Sequence, residues 1–107
     1  MLLLDTKNRL IARPGIATRG LLNSSQIDPR EVFVKAVRHK AASLIIAHNH
    51  PSGDPTPSPE DVAVTRRLLD ASQILGIPLL DHLILGKPTG STPGYVSLRE
   101  RGLLKFG

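Results

Sequence analysis

The chain has 107 residues, 40% of them hydrophobic, with 14 Lys and Arg against nine acids and no cysteine. That length suits one domain, able to bury roughly 65% of its unfolded surface without covalent staples. The missing thiols exclude a disulfide framework and a thiolate metal site; no apolar run reaches membrane-span length and no basic lead marks a signal peptide, so a cytoplasmic domain is expected.

Leu2-Leu3-Leu4 begins apolar with no turn or cap before it, so the chain is expected to enter in mid-strand, as a domain truncated at its N-terminus would. Asp5 to Asn8 supplies a turn, and Arg9 to Arg13 the return strand of a hairpin. After Pro14-Gly15, Ile16 to Leu22 reads as a third strand or an extension of the second. Asp28-Pro29-Arg30-Glu31 opens a helix to about Lys40, with Asp28 as N-cap, Pro29 first and Glu31 third. Val32, Phe33, Ala36 and Val37 form its apolar stripe, while Lys35, Arg38, His39 and Lys40 gather at its end, where the helix dipole favours positive charge.

Leu44 to Ala47 is apolar on both faces, which predicts a central strand covered on each side. Ser58-Pro59-Glu60-Asp61 starts a second helix that runs to Leu75 and stops at Gly76, with Val62, Thr65, Leu68, Leu69 and Ser72 close to one face. Ile77 to Leu85 is another strand, interrupted by Asp81 and His82. Polar residues inside a buried strand need partners: a structural hydrogen bond is the preferred account, and orientation of a metal-bound imidazole the alternative. Lys87 to Gly94 reads as a loop, Tyr95 to Leu98 as a closing strand and Arg99 to Phe106 as a tail or final turn. The expected fold is α/β, a mixed curved β-sheet with one helix on each side.

The stretch His48 to Asp61 joins the central strand to the second helix. Side chains two apart on an extended chain point the same way, so His48 and His50 aim both imidazoles at one point. Residues 51–60 hold four prolines and one glycine, which makes the connection stiff. If the helix start folds back beneath the strand end, two imidazoles and the Asp61 carboxylate converge, which is the ligand set of a catalytic zinc site with a position left for water. Paired loop histidines are also commonly solvated, and Ser58 with Asp61 is explained as a capping box without any metal. The letters H-N-H invite a nuclease reading, but that motif spreads its histidines over a hairpin and a helix.

His48-x-His50, seven residues, Ser58, two residues, Asp61 is similar to the H-x-H-x7-S-x2-D pattern of the JAMM (MPN+) zinc metalloproteases. HNHPSGDPTPSPEDVAVTRRL, with LLLDTKNRLI before it and LGIPLLDHLILG and YVSLRERGLL after it, resembles the bacterial RadC family across residues 1–107. The resemblance implies a JAMM/MPN-like, cytidine-deaminase-like three-layer arrangement and a Zn2+ ion held by His48, His50 and Asp61. Ser58 would be the catalytic group that stabilises an oxyanion, and the reaction would be hydrolysis of amide or isopeptide bonds in a peptide or protein substrate. It also implies a glutamate base upstream of the segment matching Leu2 to Asp5, so this chain is expected to bind metal and hydrolyse poorly. Glu60 and Glu31 are better explained as first-turn acids.

RadC proteins carry a DNA-repair name, and the competing expectation is a non-catalytic DNA-repair accessory or protein-interaction domain. Its docking surface would be the first half, where residues 1–50 hold eight Lys or Arg against three acids while residues 51–107 hold six against six, giving the net +5. Dispersed solubilising charge is the simpler account, and with two Phe, one Tyr and no Trp no base-stacking platform is expected.

Overall fold

A computed structural model describes residues 1–11, 27–91 and 93–106. Along the chain lie β1 (Leu2–Leu4), α1 (Pro29–Arg38), β2 (Ser43–Asn49), α2 (Pro59–Leu75), β3 (Leu79–Leu85), β4 (Tyr95–Ser97) and α3 (Leu98–Arg101). The strands form one sheet in the order β1-β2-β3-β4, with β2 and β3 parallel and the outer pairs antiparallel. Parallel neighbours need a crossover, and α2 supplies it. The mixed sheet flanked by helices is the α/β class that the sequence predicts.

Side chains alternate along β2: Leu44, Ile46 and His48 are buried, Ile45 is half-buried, and Ala47 and Asn49 are exposed. α1 and α2 pack against each other. Val32, Phe33 and Ala36 of α1 join Val64 and Leu68 of α2 in one apolar cluster with Leu44, Ile46 and Leu79. The two helices therefore share one face of β2 instead of taking one side each, because an apolar run does not reveal whether its small residue, here Ala47, is covered. Leu44, Leu68 and Leu79 are completely buried, and each such side chain contributes about 1.5–3 kcal/mol of transfer free energy.

One irregularity decides what β3 presents to that core. Leu44 pairs with Leu79 but Ile45 pairs with Asp81, so Leu80 has no partner across the ladder. An extra residue exchanges the two faces of every position after it. Leu79 and His82, three apart in sequence, consequently both point inward and are fully buried. In an unbroken register Asp81 would lie opposite Ile46 and His82 would leave the core.

The helix ends follow their sequence signals. The Asp28 carboxylate accepts the Arg30 N–H at 2.9 Å and Pro29 stands at the start of α1. α2 ends at Gly76, whose φ of 69° is left-handed and readily adopted without a Cβ. Four details differ from expectation. Val37, although within α1, is exposed, and in α2 it is Val64 rather than Val62 that is buried. The return strand of the hairpin shrinks to a bridge between Leu4 and Leu10, with Ile11 N–H donating to the Leu3 carbonyl at 3.0 Å; the rest of that strand and the Ile16 to Leu22 segment lie outside the described residues. Leu98, expected in the last strand, begins α3 because the Ser97 hydroxyl caps the Glu100 N–H at 3.1 Å.

Candidate metal centre

β2 carries His48 on its inward face, His50 follows at the strand end, and the capping box of α2 sets Asp61. The Ser58 hydroxyl accepts the Asp61 N–H at 3.1 Å, and the Asp61 Oδ2 accepts the Ser58 N–H at 2.7 Å. This reciprocal pair turns the Asp61 carboxylate back toward the strand end. Asp61 Oδ1 stands 3.1 Å from His48 Nε2, and Oδ2 stands 3.0 Å from His50 Nε2. The predicted convergence is therefore present: these three ligand atoms all lie within 4.8 Å of one another, and Asp61 is 1% exposed. Among the described residues no other such group of His, Cys, Asp or Glu side chains occurs. Glu31 and Glu60 do not join it; both are exposed acids of a helix's first turn.

Each ring also has a hydrogen-bond partner on its far side. His50 Nδ1 faces the Asp54 carbonyl at 2.8 Å, and a carbonyl only accepts, so the proton is on Nδ1. His48 Nδ1 faces His82 Nε2 at 2.8 Å. A neutral His50 ring with its proton on Nδ1 turns its Nε2 lone pair toward the carboxylate, and His48 does the same when its Nδ1 is the donor to His82. His48 Nε2 is buried and makes no hydrogen bond of its own. Three acceptors about one point are satisfied by a cation, and two imidazoles with one carboxylate are a fitting donor set for a divalent transition metal.

Burial lowers the basicity of His48 more than the Asp61 carboxylate raises it, and His50 lowers it further. His82 is lowered to about 4, first by burial and then by His48, against the pull of Asp61 and Asp81. Uncharged rings are the form that binds metal.

Of the two polar residues that interrupt β3, only His82 reaches the site. Asp81 accepts the His82 N–H at 2.7 Å, the Ser97 hydroxyl at 2.5 Å and the Arg99 N–H at 3.2 Å, tying β3 to β4 and α3. Asp81 thus makes the structural hydrogen bonds expected of the pair, and His82 is the one of the two that meets a site imidazole. Thr65, read from sequence only as part of a helix stripe, is fully buried and bonds both His82 and the Asp61 carbonyl. Its i to i+4 spacing from Asp61 is the sequence signal that was available.

The connection after His50 is held down by its neighbours. Gly53 donates to the His50 carbonyl at 2.9 Å and accepts the Lys87 N–H at 2.7 Å, while Gly86 N–H bonds the Gly94 carbonyl at 2.7 Å. A Cβ on Gly86 would lie 2.3 Å from the Gly53 oxygen and 2.8 Å from Pro55 Cδ. Gly86→Ala is expected to lift this loop at a cost of about 1–3 kcal/mol, seen as a thermal midpoint several degrees lower in the metal-free protein. An unchanged midpoint would show that the loop yields freely. A cavity of about 750 Å3 lies against the same loop, lined by Asp54, Pro55, Thr56, Lys87 and Tyr95 among others. None of the three ligands lines it, and it meets the site through Asp54, whose carbonyl orients His50.

Fold and site together define an α/β domain of the JAB type with a group of side chains able to hold a metal. No helix among the described residues is long and apolar enough to cross a membrane. The chain belongs to the RadC-like JAB domain family, which it matches over residues 1–103. It is 52% identical over 103 residues to a UPF0758 protein of Desulforamulus reducens, covering 96% of this chain and 43% of that protein. A UPF0758 protein of Pelobacter propionicus is 53% identical over 104 residues, covering 97% and 43%. One from Bacillus cereus is 54% identical over 101 residues, covering 94% and 42%. The chain thus spans less than half the length of these curated relatives.

Proposed function

We propose that the chain is a zinc-dependent metallohydrolase domain that cleaves amide or isopeptide bonds in a peptide or protein substrate. One observation carries this reading: His48, His50 and Asp61 turn three acceptor atoms to one buried point while the far side of each ring has its own hydrogen-bond partner. Zinc is the ion of choice for an open imidazole and carboxylate set without thiolate.

His48 and His50 would hold the ion through Nε2, and Asp61 through its carboxylate. When bound, zinc lowers the pKa of a coordinated water and polarises a scissile carbonyl. Ser58 accepts the Asp61 N–H, which leaves its own hydroxyl proton uncommitted. That proton can be donated to the carbonyl oxygen as negative charge develops there. The cavity beside Asp54 is of the size that takes a small ligand or a few residues of chain. Because neither Glu31 nor Glu60 joins the ligands, turnover is expected to be slow.

The reading is tested by incubating the zinc-loaded protein with peptide and isopeptide substrates and following cleavage by mass spectrometry. Cleavage is expected to require the metal and to fall about 100-fold in Ser58→Ala, with zinc affinity little changed. Loss of the cap in that variant costs about 1 kcal/mol, so both proteins are assayed well below their melting range. Cleavage equal in the zinc-loaded and the metal-stripped protein would defeat the proposal.

A further inference from the structure

We infer that Thr65 and His82 form a positioning relay that decides which nitrogen of His48 carries its proton, and so keeps the Nε2 lone pair turned to the metal. The inference rests on the metal reading above and concerns two residues that take no part in coordination.

The direction of the relay follows from what each atom is able to do. The Thr65 hydroxyl lies 2.7 Å from the Asp61 backbone carbonyl, which only accepts, so the single hydroxyl proton is spent there. The same oxygen faces His82 Nδ1, and having no second proton it must accept. His82 therefore carries its ring proton on Nδ1, and the Nε2 of the neutral ring is an acceptor. His48 Nδ1 lies 2.8 Å from that Nε2 and must be the donor. The sequence ends on His48 Nε2, left with a lone pair 3.1 Å from Asp61 Oδ1.

Without the relay the opposite state is favoured. A carboxylate beside Nε2 attracts the imidazole proton to that nitrogen, where it would bridge His48 and Asp61 and occupy the position of the ion. Thr65 and His82 are both fully buried, so water does not substitute for either partner. The Leu80 bulge that turns His82 inward is thereby part of the site's construction.

The tautomer is read directly from long-range 1H–15N correlation spectra of the metal-free, 15N-labelled protein, and zinc affinity from titration. The parent and Thr65→Ser are expected to show the His48 proton on Nδ1. Thr65→Val, which keeps the shape and removes the hydroxyl, is expected to move it to Nε2 and to weaken zinc binding about 10- to 100-fold, whereas Thr65→Ser restores both. Should Thr65→Val fail to fold, His82→Gln and His82→Leu decide the matter: the carboxamide can accept from His48 and donate to Thr65, so only the Leu variant should lose the Nδ1 tautomer. A Thr65→Val protein, or in its place a His82→Leu protein, that keeps the His48 proton on Nδ1 overturns the relay. A parent that binds no zinc overturns the metal reading instead, and the spectra still decide for or against the relay.

Discussion

Asp61→Asn is expected to abolish zinc binding in an isothermal titration while leaving the fold intact. The side chain has two duties, and the substitution separates them. One oxygen accepts the Ser58 N–H at 2.7 Å as half of the capping box, and an amide oxygen does that equally well. The other oxygen faces His48 Nε2 at 3.1 Å, while the capping oxygen itself also stands 3.0 Å from His50 Nε2; an amide nitrogen in place of the first would donate to an imidazole lone pair that the ion needs. Asp61 is also a carboxylate only 1% exposed beside other acceptors, so neutralising it relieves a cost of burial. The metal-free variant should accordingly melt no lower than the parent. Zinc at 100 times its dissociation constant stabilises the parent by about 2.7 kcal/mol, a rise of about 10 °C or more for a domain of this size, and should leave the variant unmoved. A variant that still gains stability from zinc would show that Asp61 is a cap and nothing more.

The metal-free protein is also expected to lose about 3 kcal/mol of stability between pH 6.5 and 4. His82 is held at about 4 in the folded state, chiefly by burial, against an ordinary 6.5. Within that window the unfolded chain binds a proton that the folded chain refuses. The contribution of the neutral ring is therefore fully present above pH 6.5, declines as the pH falls, and is gone below about 4. His48 is shifted in the same direction by its own burial and adds to the effect. The carboxylates of Asp5, Asp28 and Asp54 are all held below their usual range by nearby donors and act at lower pH. Denaturant melts at pH 7 and pH 4.5 measure the loss, and His82→Gln should flatten most of it. Equal stability at the two pH values in the parent would mean that His82 is not buried in its neutral form.

Much of the site was legible because it depends on local geometry. Alternation on a strand brings His48 and His50 to one side, and a Ser-Pro-Glu-Asp helix start fixes where Asp61 points; both are properties of a few adjacent residues. The parts that escaped are properties of pairing across the sheet. Nothing in Leu79-Leu80-Asp81-His82 announces that Leu80 is passed over by β2, yet that single omission sends His82 to the site and Asp81 to α3. Thr65 was hidden by its own suitability for a helix face, since its hydroxyl matters only once a histidine 17 residues later arrives beside it. Whether two helices share a face or divide the two between them depends on what covers Ile45 and Ala47, and the letters of β2 do not say.

The capping box at the start of α2 has an implication for how relatives of this domain are to be judged. A descendant that gave up ion binding would still keep aspartate or asparagine at position 61, because the start of α2 uses the side-chain oxygen there, whereas the imidazoles at 48, 50 and 82 would be released to drift. In sorting working copies from retired ones, the histidine at 82 is a more telling letter than the aspartate at 61.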